Sequence, residues 1–170
     1  MLYHYTHLVA GGSIIEDGYL KVSEWERKNG FKPTLWFSKH ELYEPTALKQ
    51  YQTENGGMSV FKTMQEQANK VGCVRFGYKG SDLHTWKEYG SLSEISRQER
   101  RRMEKSHKKQ GANPSDWLCS FDDISLEDMS SVEIWTDKWE EWTEKSLESA
   151  MHKAEFLTMD GCEESCCSSK

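Results

Sequence analysis

The sequence contains no uninterrupted apolar run near the roughly 18–20 residues that a membrane-spanning helix needs, which excludes a helical transmembrane protein. Apolar side chains are scarce throughout. They make up 36 % of the 170 residues, against a usual ~45–50 % with glycine counted. Cysteine numbers five, an odd and unevenly spread set, so a secreted disulfide framework is not expected. The opening MLYHYTHLVAGG has no basic start followed by an apolar stretch, and so reads as no signal peptide. No GxGxxG, Walker, HExxH or GxSxG word occurs either. These absences predict a cytoplasmic, non-membrane protein without the common phosphate-binding or hydrolase signatures.

Aromatic residues, in contrast, are plentiful. They reach 12 %, with seven Trp, enough to build much of a core and to exclude a disordered chain. The length suits one domain, taken as residues 1–158. Residues 159–170 read as a flexible tail whose Cys162, Cys166 and Cys167 lack a fourth ligand at zinc spacing. His4-x-x-His7 likewise has no third ligand placed by spacing, so no metal is expected. The net charge of −6 is unevenly distributed. Residues 93–112 carry seven basic and three acidic side chains, whereas the chain from Asp116 onward carries four basic and fifteen acidic. The acidic third argues against wrapping duplex DNA. Arg100, Arg101 and Arg102, in a basic helix over 97–109, are the candidates for nucleic-acid contact.

Leu2–Tyr5 alternates as a strand, with Tyr3 and Tyr5 on one face and Leu2 and His4 on the other. Thr6 is placed to cap a helix through Ile15, ended by Gly18. Residues 23–33 read as a surface loop, and Leu35–Ser38 as a second strand. Pro45 opens a helical turn through Tyr51, residues 52–57 turn, and Ser59 caps a helix to Lys70. Val71–Tyr78 is the clearest strand. Residues 93–110 are helical, Val132–Trp135 is a strand, and a closing helix carries Trp139, Trp142, Met151 and Ala154 on one stripe. Without a regular β-α-β cadence, this order predicts an α+β fold.

Four short words recur in a telling order: LYHYT at 2–6, Ile14-Ile15 before Gly18-Tyr19-Leu20, LWFS at 35–38, and Tyr43. Together they resemble the N-terminal half of the ADP-ribosyltransferase-like fold. That fold is shared by poly-ADP-ribose polymerases, DarT-type DNA modifiers and tRNA 2′-phosphotransferases. The resemblance implies a split antiparallel-type β-sheet with flanking helices and an NAD cleft between its halves. It implies NAD as substrate, with cleavage of the nicotinamide–ribose bond by ADP-ribosyl transfer or hydrolysis. Such chemistry clamps the nicotinamide, orients the ribose and offsets an oxocarbenium-like charge.

Residue by residue, the resemblance gives His4 a ribose hydroxyl, with Tyr5 and Thr6 beside it as cofactor-binding positions. Trp36 and Tyr43 would clamp the ring, Ser38 would hold the carboxamide, and Glu133 in VEIW would be the catalytic carboxylate with His4. Ser131 stands two residues before Glu133, where arginine-modifying transferases carry Glu or Gln, which excludes arginine as acceptor. Residues 1–74 hold only Arg27, too few arginines for a phosphotransferase pocket. The partners are then a small-molecule nucleotide and a macromolecular acceptor, protein or nucleic acid. Two other functions stay open on the residues alone: a non-catalytic binder of NAD, ADP-ribose or a related nucleotide, and a small interaction protein using the basic helix.

Overall fold

A computed structural model describes residues 1–28, 30–53 and 55–154. The cysteine-rich tail expected at 159–170, and the domain limit at 158, lie outside the described residues. Strand β1 (Leu2–Thr6) follows the alternation of LYHYT. His7, rather than Thr6, caps helix α1 (Leu8–Asp17), its Nδ1 accepting from the Ala10 amide, and Gly18 closes the helix at φ 75°. Next come β2 (Tyr19–Leu20), α2 (Glu24–Lys28) within the stretch read as a loop, and β3 (Leu35–Ser38). Pro45 opens only one 3-10 turn, Pro45–Ala47. The chain then forms a hairpin of β4 (Gln50–Gln52) and β5 (Met58–Val60), so Ser59 is a strand residue. Thr63 caps α3 (Met64–Val71) instead.

Strand β6 (Val74–Tyr78) is buried along its whole length. Beyond it, β7 (His84–Thr85) and α4 (Trp86–Leu92) occupy a stretch to which the sequence pattern assigned no element. Helix α5 (Arg97–Lys108) starts from a Ser96/Glu99 capping box. Then follow β8 (Trp117–Ser120), β9 (Ile124–Ser125) and β10 (Met129–Trp135). Trp139 lies in β11 (Trp139–Glu141), and the closing helix α6 covers only Glu144–Lys153.

The fold is mixed α+β. Seven strands form one sheet in the order β11-β10-β6-β1-β3-β8-β7, and every neighbouring pair is antiparallel. Strand β1 pairs with β6 along its whole length, from Leu2↔Tyr78 to Thr6↔Val74. With β3 it shares a single position, Tyr3↔Ser38. The sheet therefore opens between β1 and β3.

Register assigns the faces, because residues directly opposed across strands project to the same side. His4 faces Phe76 and Val132, and on this side Val74, Phe76 and Ile134 are fully buried under α1 and α6. Burying each such side chain contributes roughly 1.5–3 kcal/mol. Tyr3, Ser38 and Trp117 align on the opposite side, with Trp36 against Cys119. There α4 and α5 pack Trp86, Tyr89 and Met103 over the β3–β8 region. No helix among the described residues is long and apolar enough to cross a membrane.

Candidate functional site

A cavity of about 770 Å³ lies over the opening between β1 and β3. Its walls come from both parts of the sheet and from three flanking segments. Tyr3, His4 and Tyr5 come from β1, and Trp36 and Ser38 from β3. Glu26 comes from α2, Glu44 and Lys49 from the connection after β3, Arg102 and His107 from α5, and Trp117 from β8. The volume falls within the ~300–1,000 Å³ of small-molecule and cofactor sites.

His4 shapes the opening. Its Nδ1 lies 2.9 Å from the Trp36 carbonyl, which only accepts, so Nδ1 carries the proton and Nε2 the lone pair. The ring packs against Phe37 and Phe76. Burial, with the nearby Lys49 charge adding to it, pushes the His4 pKa down to about 4 against the pull of the carbonyl bond. At neutral pH His4 is therefore an uncharged acceptor, suited to a hydroxyl. Lys49 is itself held below the usual lysine range by burial. Among the described residues no carboxylate lies within ion-pair distance of it.

Ser38 and Glu44 form a closed polar unit. The Ser38 hydroxyl donates to Glu44 Oε2 at 2.7 Å and accepts from the His40 amide. Glu44 Oε1 accepts from the amide and hydroxyl of Thr46. Tyr5 donates its hydroxyl to the His40 carbonyl. These bonds fix the loop after β3 and leave Ser38 with little capacity for a carboxamide.

Glu26, His107 and Trp117 in the same lining are bonded differently. Trp36 Nε1 donates to Glu26 Oε1 at 3.1 Å, while Glu26 Oε2 is buried without a partner. His107 Nδ1 and Trp117 Nε1 are also buried and unpartnered, their rings meeting edge to face at 5.2 Å. Three of the four such side-chain atoms among the described residues thus belong to residues lining one cavity. Buried polar atoms are rarely left without partners, and these three are closed off from the cavity that their residues line.

The expected constellation is brought together only in part. His4, Tyr5, Trp36 and Ser38 line the cavity, but Glu133 does not. Register places Glu133 opposite Arg75, on the side of the sheet away from His4 and shared with Tyr5, Ser38 and Trp36, and two strands from β1, so Glu133 and His4 do not share the expected cleft. Arg75 takes both Glu133 oxygens, at 2.9 and 3.0 Å, and stacks its guanidinium between the Tyr3 and Trp139 rings. Its Nη1 also donates to the Glu41 carbonyl. Tyr43 and Thr6 border a separate small hollow beside Met64 and Cys73, so Tyr43 is no partner for Trp36 in a clamp. Trp36 instead meets Trp86 and Tyr89, at 5.9 and 4.7 Å between ring centroids.

The three arginines of α5 diverge. Arg102 lines the cavity, whereas Arg100 lies back against Gly90 and 3.9 Å from Glu104. Arg101 is exposed. One side of the basic helix is therefore a wall of the cleft, while Arg97, Arg101, Lys105, Lys108 and Lys109 are exposed outside it. Among the described residues no cluster of three or more His, Cys, Asp or Glu side chains could hold a metal ion. Sequence reasoning missed Glu26, Lys49 and His107. Only their type was visible, because no local pattern tells that a carboxylate or an ammonium ends up without a counter-ion.

No protein-family model, curated protein or solved structure matches the chain.

Proposed function

We propose that this protein binds NAD or a related nucleotide in the cleft between the two parts of its sheet, and does so without using Glu133 to cleave it. The observation that carries the reading is one cavity whose lining joins Lys49, the uncharged His4 and aromatic side chains. Lys49 lines it, and among the described residues no carboxylate lies within ion-pair distance of this side chain, which suits it to phosphate oxygens. Trp36, Trp86 and Trp117 line the same cavity and suit a flat ring. His4, bonded through Nδ1 to the Trp36 carbonyl, keeps Nε2 as an acceptor of the kind a ribose hydroxyl needs. A nucleotide carries phosphate, sugar and flat ring in that order. The resemblance to ADP-ribosyltransferase-like proteins supports the same ligand class.

The bidentate Arg75–Glu133 pair favours binding over turnover, since a carboxylate held by a guanidinium is poorly placed to offset charge on a ligand elsewhere. The test is incubation with NAD labelled in the nicotinamide ring and, separately, in the adenylate. We expect saturable binding, no released nicotinamide, and roughly tenfold or greater weakening in Lys49→Ala, the scale of one charge-assisted bond. Released nicotinamide would restore the catalytic reading, and a labelled macromolecule would add a transferase. Failure of both NAD and ADP-ribose to bind at millimolar concentration would sink the proposal.

A further inference from the structure

We infer that the solvent side of helix α5 is a docking row for the phosphate backbone of a single nucleic-acid strand. Arg97, Arg101, Lys105 and Lys108 are all exposed on this helix. Their spacing of four, four and three residues sets them within an arc of about 80°, at 100° per residue. Neighbours rise about 4.5–6 Å along the axis, so the four cations form one line roughly 16 Å long. Lys109, the C-cap, extends its end. The cavity-lining side chains Glu99, Arg102, Met103, Ser106 and His107 belong to the other side of α5. Of the three consecutive arginines, only Arg101 is in the row. The row therefore stands whether or not the cleft takes a nucleotide.

Nothing on the helix neutralises it. Helix α5 has two acidic side chains, and both are engaged elsewhere. Glu99 closes the Ser96 capping box, while Glu104 accepts from Trp86 Nε1 at 2.7 Å and lies 3.9 Å from Arg100. Among the described residues, Arg97, Arg101, Lys105 and Lys108 form no ion pair. Like charges four residues apart on a helix repel, and a polyanion laid along them relieves this.

The partner follows from what the row lacks. Met103, the one apolar side chain of α5, turns inward onto the cluster of Trp86, Tyr89 and Trp117. A membrane-surface helix needs an apolar face beside its basic one. A protein interface needs apolar or aromatic anchors at its centre. Phosphate neutralisation needs neither. The chain from Asp116 onward carries fifteen acidic and four basic side chains, so one strand along the row fits better than a wrapped duplex.

The test is fluorescence anisotropy of the full chain with a labelled single strand of about 15 nucleotides, from about 50 to 200 mM salt. Three to four neutralised phosphates give a log–log slope of about −2 to −3, so affinity should fall about 15–60-fold across that range. A variant carrying Arg97→Gln, Arg101→Gln, Lys105→Gln and Lys108→Gln keeps good helix formers in place. It should bind about tenfold or more weakly at the lowest salt, with a slope near zero. A second variant carrying Lys62→Gln, Lys79→Gln, Lys138→Gln and Lys145→Gln removes the same charge from exposed positions on other segments. It should stay within about threefold of the parent. Should the row variant melt early, Arg101→Gln with Lys105→Gln should still flatten the slope by about 1.4. Excess NAD should not displace the strand. No binding at low salt would overturn the row, as would equal weakening by both fourfold variants, since net charge would then be the cause. Displacement by NAD would put the strand in the cleft instead. Binding of phosphatidylserine vesicles or poly-glutamate, with the strand ignored, would give the row another partner and overturn this one.

Discussion

His4 and His7 tie stability to pH with a definite sign. Burial holds each ring's pKa near 4 in the folded protein, against an ordinary 6.5. Above pH 6.5 both rings are neutral in either state and the full stability is present. Between pH 6.5 and 4 the unfolded chain binds protons that the folded chain refuses, so stability falls as pH falls through that window. Both rings face Lys49, whose positive charge pushes in the same direction. Half-buried rings of this kind contribute on the order of 1–3 kcal/mol each by pH 4. Urea midpoints at pH 7, 6, 5 and 4 should drop through the series, and His4→Gln should flatten the drop. A midpoint unchanged from pH 7 to 4.5 would refute this.

Glu133 gives the contrasting residue-scale prediction. Its pair with Arg75, 9 % exposed on the arginine side chain, is structural. Glu133→Gln should leave nucleotide affinity within about twofold and lower stability by about 1–3 kcal/mol, the scale of a weakened buried charge pair. A thermal melt and a ligand titration on the same sample separate the two effects. The alternation of LYHYT and LWFS made the two strands legible, but not that His4 projects to the opposite side of the sheet from Trp36 and Ser38. Glu133 was legible only as a strand carboxylate. That Arg75, 58 positions earlier, would neutralise it depends on which strands become neighbours, and single-sequence patterning does not carry that.

Elements were legible where local chemistry decides them and obscure where long-range contacts do. Strand β6 announces itself by alternation and helix α5 by its charged run ending at Gly111, although the Ser96/Glu99 capping box starts the helix later than the expected residue 93. The turn between α3 and β6 was not legible, since Gly72 falls inside the stretch read as a strand from Val71. Gly72 has φ 69° and ψ 166°, backbone space that side chains avoid, and an added Cβ would lie 2.7 Å from Leu8 Cβ on α1. Gly72→Ala should therefore cost about 2–5 kcal/mol, combining backbone strain with overpacking of α1. A denaturant melt within 0.5 kcal/mol of the parent would contradict it.

Consecutive residues on a helix project about 100° apart, which is why three adjacent arginines cannot make one phosphate row. Their observed fates, one in the cleft, one against α4 and one in solvent, follow from that spacing. Arg102→Ala should weaken nucleotide binding, whereas Arg101→Ala should not. Equal effects of the two in the same titration would count against Arg102 as a cleft residue.

At the scale of the whole molecule, the sheet behaves as two parts. Strands β11, β10, β6 and β1 are laddered continuously, and β3, β8 and β7 join them through the single pair Tyr3↔Ser38. A ligand lying across that opening touches both parts, with Lys49 and Tyr5 on one side and Trp117 and α5 on the other. It should couple them. At a hundred times its dissociation constant, a ligand that binds only the folded protein adds about 2.7 kcal/mol, a rise of about 5–10 °C in melting temperature for a chain of this size. The distribution of the effect is more telling than its size. Amides of β6 and β10 sit inside a continuous ladder between buried faces, and should already exchange only by global opening. Those of β3 and α5 belong to the part held by one pair, and should open more readily without ligand. Hydrogen exchange with and without NAD should therefore slow most in β3 and α5, beyond the uniform slowing that global stabilisation brings to every core amide. Uniform slowing alone would mean that the ligand stabilises the fold without bridging its two parts, and the cleft over the β1–β3 opening would not be where it binds.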